Sequence, residues 1–155
     1  MELRFERAGR DDVERIFQLS KQTIDDYENI ETIDYEKVLK WVRHKIENNI
    51  EEYSCIYCNE EKVGYYRLTQ CEEHLFELDD LYIFSAFQNQ GIGTEVIRKC
   101  CKEVDWPVFL YVFIRNERAV ALYKRLGFQI QETVKDSRYI MRFDGMKKRN
   151  DSHEV

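Results

Sequence analysis

Gln88-Asn89-Gln90-Gly91-Ile92-Gly93 stands between two stretches of different periodicity. Before it, Leu75–Phe84 reads as a strand, mostly apolar from Leu81 on, as a central strand should be. After it a helix begins at Gly91 and runs to Asp105, with Ile92, Val96, Ile97, Cys100 and Val104 on one side. A helix start offers backbone N–H groups without intrahelical partners and the positive end of the helix dipole. Two glycines let a phosphate come close to that backbone. The segment therefore reads as a pyrophosphate cradle built from main chain. Rival phosphate loops fit worse. A Walker loop needs Gly-Lys-Ser/Thr, and Gly93 is followed by Thr94-Glu95. A dinucleotide fingerprint needs a third glycine where Val96 stands, and it normally follows the first strand of its unit rather than lying mid-chain.

Upstream of the loop, Leu3 and Phe5 alternate with polar neighbours, so residues 2–7 predict a strand. Gly9 turns the chain, and Asp11 or Asp12 can cap a helix in which Val13, Ile16, Phe17 and Leu19 keep helical spacing. Asp34 can cap a second helix with an apolar stripe of Val38, Leu39, Trp41, Val42 and Ile46. Tyr53–Cys58 and Val63–Thr69 predict a hairpin around Asn59-Glu60-Glu61-Lys62. Downstream, Pro107 stops the helix and opens a strand, Val108–Ile114. Ala119–Leu126 predicts a helix that Gly127 ends as a left-handed cap. Phe128–Val134 and Arg138–Phe143 predict two last strands. The order β-α-α-β-β-β-α-β-α-β-β is mixed α/β, and its one strand–helix–strand crossover makes parallel neighbours.

The chain has 155 residues, 43% hydrophobic and 14% aromatic, enough to build a packed core. Residues 1–145 read as one domain, and 146–155 as a charged, disordered tail. Acidic residues outnumber basic ones, 30 to 24, giving a net charge of −6. That balance argues against nucleic acid as a partner. No apolar run is long enough to span a membrane. The alternating, charged start Met1–Arg7 is no secretion signal, so a cytoplasmic location is expected. Five cysteines are an odd number, and Cys55-x-x-Cys58 has no second pair at zinc-ligand spacing. His44, His74 and His153 show no ligand pattern either, so no metal is expected.

With its flanking elements, Gln88-x-x-Gly91-x-Gly93 resembles the Q/R-x-x-G-x-G/A signature of the GNAT superfamily, the GCN5-related N-acetyltransferases. A second segment, Asn116-Glu117-Arg118-Ala119-Val120-Ala121-Leu122-Tyr123-Lys124-Arg125-Leu126-Gly127-Phe128, is similar to that family's N-x-x-A-x-x-L-Y-x-x-x-G-F pattern. It follows an apolar strand, as it does in the family. The likeness spans residues 2–143, with the first 50 matching by element order alone.

The resemblance implies a GNAT-like α/β fold: a central twisted mixed sheet of about seven strands flanked by about four helices. It implies acetyl-CoA as co-substrate and an amine as acceptor, in a protein that is a monomer or homodimer. Main chain at Leu81, Tyr82 and Ile83 would bond the pantetheine arm, and the loop Gln88-Asn89-Gln90-Gly91-Ile92-Gly93-Thr94 would hold the pyrophosphate. Asn116 would contact the cofactor arm, unless it serves only as a helix N-cap. Tyr123 would face the thioester sulfur and protonate the leaving thiolate. For the general base, Glu77 is the first candidate, with Asp79 and then Asp80 as rivals. Strand alternation puts Glu77 and Asp79 on one face and Asp80 on the other unless a bulge intervenes. Arg98, Lys99, Lys102, Arg118 and Lys124 are mostly surface charges that could meet phosphates, and Asp25-Asp26-Tyr27-Glu28 lies where the family shapes its acceptor pocket. A fold that binds an acyl-CoA without catalysis, as a sensor or interaction module, is the alternative reading.

Overall fold

The computed structural model describes residues 1–145. The tail expected over 146–155, and His153 with it, lies outside the described residues. Seven strands form one mixed sheet: β1 Leu3–Arg7, β2 Tyr53–Cys58, β3 Glu61–Glu72, β4 Leu75–Ile83, β5 Val108–Phe113, β6 Gln129–Val134 and β7 Arg138–Phe143. Their order is β1-β2-β3-β4-β5-β7-β6, which puts β4 in the middle. The four α-helices are α1 Val13–Tyr27, α2 Tyr35–Asn48, α3 Ile92–Glu103 and α4 Glu117–Arg125. β4 and β5 run parallel, with Phe76 opposite Val108 and Glu77 opposite Phe109, the pairing that the α3 crossover requires.

The chain groups into two compact units, Met1–Arg67 with Asp80–Ser85, and Leu68–Asp79 with the chain from Ala86 on. In the first unit α1 packs on α2, and Ile16, Phe17, Ile24, Val42 and Ile46 are buried with Tyr53, Ile56, Val63 and Tyr65 of the strands. The β2–β3 turn is tighter than the four-residue loop expected. Asn59 and Glu60 both take positive φ (52° and 73°), the type I′ geometry whose twist matches a hairpin. In the second unit Ile92, Val96, Ile97 and Cys100 form the buried stripe of α3, and Val108, Leu110 and Val112 the buried face of β5. α4 ends in a Schellman motif: Phe128 N–H donates to Tyr123 C=O at 3.0 Å and Gly127 N–H to Lys124 C=O at 3.1 Å, with Gly127 at φ 99°.

Two further expectations change. Trp41 does not join the apolar stripe of α2; it is 64% exposed, while Val42 and Ile46 point inward. Its neighbour in space is the Lys45 ammonium, 5.8 Å from its ring centroid. Asp12 precedes α1, but its carboxylate caps nothing there. It accepts from Gly9 N–H at 2.9 Å, Lys62 Nζ at 2.7 Å and Tyr65 Oη at 2.7 Å. Asp34 does cap α2, accepting from Lys37 N–H at 3.2 Å.

Candidate active site

The loop after β4 is shaped by two left-handed residues, Asn89 (φ 64°) and Gly91 (φ 83°). Gly91 is the N-cap of α3, and Ile92, buried at the first helical position, anchors the turn. Left-handed followed by right-handed backbone turns successive N–H groups toward one side, a geometry that suits anions. The first intrahelical bond is Glu95 N–H to Gly91 C=O at 3.1 Å, so the amides of Ile92, Gly93 and Thr94 precede it in the first turn. Those donors and the helix dipole fit a diphosphate. Gln88, Asn89 and Gln90 are exposed. A second element steadies the loop: Arg118 Nη2, in the first turn of α4, donates to Asn89 Oδ1. Of the five basic residues singled out as surface charges, Arg118 is thereby tied to the loop, whereas Arg98 and Lys99 pair with Glu95 and Glu103 on α3 itself.

In the first unit, Leu81, Tyr82 and Ile83 form the half-buried C-terminal end of β4. Phe84 N–H just beyond them donates to Val63 C=O at 2.8 Å. β3 comes very close here: a Cβ built on Gly64 would lie 2.0 Å from the Tyr82 carbonyl oxygen. Asp80 breaks the extended run with φ 49°, so alternation cannot be counted through it. Its carboxylate accepts from Tyr53 Oη at 2.5 Å and Tyr82 Oη at 2.9 Å and pairs with Lys45 Nζ at 3.1 Å. Tyr82 Oη also shares a 2.8 Å bond with Ser20, which is buried on α1.

In the second unit, Glu77 lies opposite Phe109 and accepts a weak bond from the Cys71 thiol at 3.8 Å. Asp79 acts electrostatically on Tyr123: burial first, and then the Asp79 carboxylate, push the phenol up to about 12. The ring of Tyr123 packs 5.7 Å from that of Phe128. Asn116 is the N-cap of α4, its Oδ1 accepting from Ala119 N–H at 3.3 Å. Among the described residues no group of three or more His, Cys, Asp or Glu is placed to hold a metal ion. All five cysteines are free thiols, and burial raises Cys100 and Cys101 to about 12, which removes them as nucleophiles near neutral pH.

Residues 12–128 match the acetyltransferase (GNAT) family, more than half of the chain. The chain belongs to the GNAT family. A curated relative, an uncharacterized N-acetyltransferase of Methanocaldococcus jannaschii, is 36% identical over 63 residues. That match covers 38% of this chain and 28% of the relative, so this chain spans little more than a quarter of the relative it matches. Two solved N-acetyltransferase structures share the fold. The PaiA N-acetyltransferase of Thermoplasma acidophilum, in complex with coenzyme A, aligns with a TM-score of 0.61 and 19% identity over 93% of this chain and 99% of its own. A spermidine N-acetyltransferase chimera from Vibrio cholerae and hSSAT aligns with a TM-score of 0.67 and 17% identity over 97% of this chain and 99% of its own. The seven-stranded mixed sheet with four helices expected from the sequence is the GNAT fold.

Sequence reasoning missed the grip on Asp80. Its partners stand 2 to 35 positions away on α2, β2 and its own strand, and Ser20 of α1 holds one of them, Tyr82. One signal was available: Ser20 sits in register with Ile16 and Ile24 on the buried side of α1, and a hydroxyl on an apolar stripe calls for a polar partner.

Proposed function

We propose that this GNAT protein moves an acetyl group from acetyl-CoA to a primary amine by direct attack, with residues 1–145 acting as one catalytic domain. The observation that carries the reading is the loop geometry. Left-handed Asn89 and Gly91 run into a helix whose first-turn amides suit a diphosphate, at the position of the Gln88-x-x-Gly91-x-Gly93 signature. Main chain of Leu81, Tyr82 and Ile83 holds the pantetheine arm, backbone groups of Gln88 to Thr94 hold the pyrophosphate, and Asn116 contacts the arm while capping α4. When bound, acetyl-CoA supplies the thioester carbonyl that the amine attacks.

The chain's own groups supply the rest. A primary amine with a pKa near 10 is mostly protonated at neutral pH and must lose a proton before it attacks. A carboxylate on β4, Glu77 or Asp79, takes that proton. An amide of β4 steadies the developing oxyanion. Tyr123 returns a proton to the departing thiolate. Its raised pKa supports this role, since the phenol stays protonated throughout the working range. The influence of Asp79 on that phenol supports placing acid and base in one neighbourhood.

The acceptor is sought among small amines, polyamines and peptide or protein amines. The test is a panel of such amines with acetyl-CoA, with free CoA read by mass spectrometry because the five thiols would react with a dye. One amine class should drive CoA release well above the no-amine control. Binding of acetyl-CoA with no release across the panel would sink the catalytic reading.

A further inference from the structure

Asp80 is a non-glycine residue at φ 49° in the middle of the central strand. The left-handed region is unfavourable for residues that carry a Cβ, and it persists where the surroundings over-determine it. Here they do. The two carboxylate oxygens receive three donors: Tyr82 Oη on one, Tyr53 Oη and Lys45 Nζ on the other. The donors come from α2, β2 and β4 itself, and Ser20 of α1 holds Tyr82 in turn. The Asp80 side chain is 9% exposed and that of Lys45 18%. Charge-assisted bonds so shielded from water are the strong kind. Two residues further along, the Tyr82 carbonyl comes so near β3 that only glycine fits at position 64. The backbone of β4 from Asp80 to Ile83 is thus fixed on both counts, by a clamped side chain and by a steric stop.

We propose that Asp80 is a positioning residue for acyl-donor binding: clamped by Lys45, Tyr53 and Tyr82, it holds the break in β4 that aims the main chain of Leu81–Ile83. This rests on the proposed role of that main chain in holding the pantetheine arm. It separates Asp80 from Glu77 and Asp79. A carboxylate already engaged by an ammonium and two hydroxyls is suited to holding backbone, not to taking a proton from an acceptor.

The test is calorimetric binding of acetyl-CoA to wild type and three variants, with circular dichroism and thermal unfolding confirming that each is folded. Asp80→Ala removes every clamp and leaves a plain Cβ residue in the left-handed region, so its dissociation constant should rise about tenfold or more. Asp80→Asn keeps one acceptor oxygen for the Tyr53 and Lys45 side of the clamp, turns an amide N–H2 toward the Tyr82 hydroxyl oxygen and tolerates the left-handed region, so it should recover affinity to within about threefold of wild type. Tyr53→Phe, which loses one clamp, should fall between the two. A folded Asp80→Ala with wild-type affinity overturns the assignment, and so does equal loss in Asp80→Asn and Asp80→Ala, which would mean that the charge itself is what binding needs. Absence of binding by wild type removes the cofactor reading and the assignment with it; the other two failures leave the cofactor reading standing.

Discussion

Tyr123 shows how its setting tunes one side chain. Burial disfavours the phenolate, and the Asp79 carboxylate disfavours it further, so the phenol sits at about 12 rather than near 10. In the role proposed for Tyr123, the neutral phenol is the proton donor. It is fully present below its pKa and is lost only as pH rises through about 12, so Tyr123 places no basic limb on activity between pH 6 and about 10. Tyr123→Phe should lower kcat by about 10–100-fold at every pH in that span while leaving the affinity for acetyl-CoA unchanged. A parallel, downward-displaced pH–rate profile is the outcome to look for. A variant whose kcat matches wild type would reduce Tyr123 to the packing partner of Phe128 that its ring geometry also makes it. Asn116 needs no such choice, because a cap made through Oδ1 leaves its amide nitrogen available to a ligand.

At the scale of elements, β3 and β4 carry the most consequence. Gly64 matters because of what faces it, not because of its own torsions. Any side chain there begins with a Cβ 2.0 Å from the Tyr82 carbonyl oxygen and 3.0 Å from its carbonyl carbon. Both are backbone atoms, so relief requires moving a strand. Gly64→Ala should therefore destabilise the fold by about 3 kcal/mol or more, at the upper end for overpacking, as read by chemical denaturation. A loss under about 1 kcal/mol would mean that the strands part easily at this point. The bulge between Ile56 and Tyr57 in the β2–β3 register lies beside the same glycine, since Ile56 pairs with Gly64 and Tyr57 with Lys62. The extra residue, Val63, is the one whose carbonyl takes the Phe84 amide.

For the molecule as a whole, the tie made by Asp12 links the start of α1 to β3, 50 residues away. Burial alone would raise this carboxyl, but Lys62, the Gly9 amide and the Tyr65 hydroxyl outweigh it and hold the group below its usual value. Burial, and after it the Asp12 carboxylate, push Tyr65 up to about 12 and Cys55 up to about 11, against the opposing pull of Lys62. A carboxyl lowered in the folded state contributes stability that is present above the ordinary carboxylate range and is lost as pH falls through the depressed value. Asp12→Ala leaves the Lys62 ammonium without this partner and should cost roughly 2–4 kcal/mol at pH 7. The gap between wild type and variant should narrow as pH drops below about 4, measured by thermal or denaturant unfolding across pH. A gap that is flat with pH would mean that the bonds of Asp12 count for less than its packing.

Short-range pattern by itself determined the element order, the glycine-bearing turn between β4 and α3, the cap at Asp34, the glycine that ends α4 and the family. Each of these is written in residues no more than a few positions apart: apolar spacing, a capping side chain, a glycine where φ turns positive. Element bounds drifted by a few residues, with α3 beginning at Ile92 rather than Gly91 and β3 running on to Glu72. Only tertiary structure decided which way Trp41 faces, that Asp12 ties a strand and reaches back to the Gly9 amide without capping α1, and that the carboxylate of Asp80 is clamped. In the sequence Asp79 and Asp80 are adjacent and chemically equal. They are separated by a left-handed torsion and by partners 27 and 35 residues away at Tyr53 and Lys45, and no local period records which distant side chains a fold will bring together.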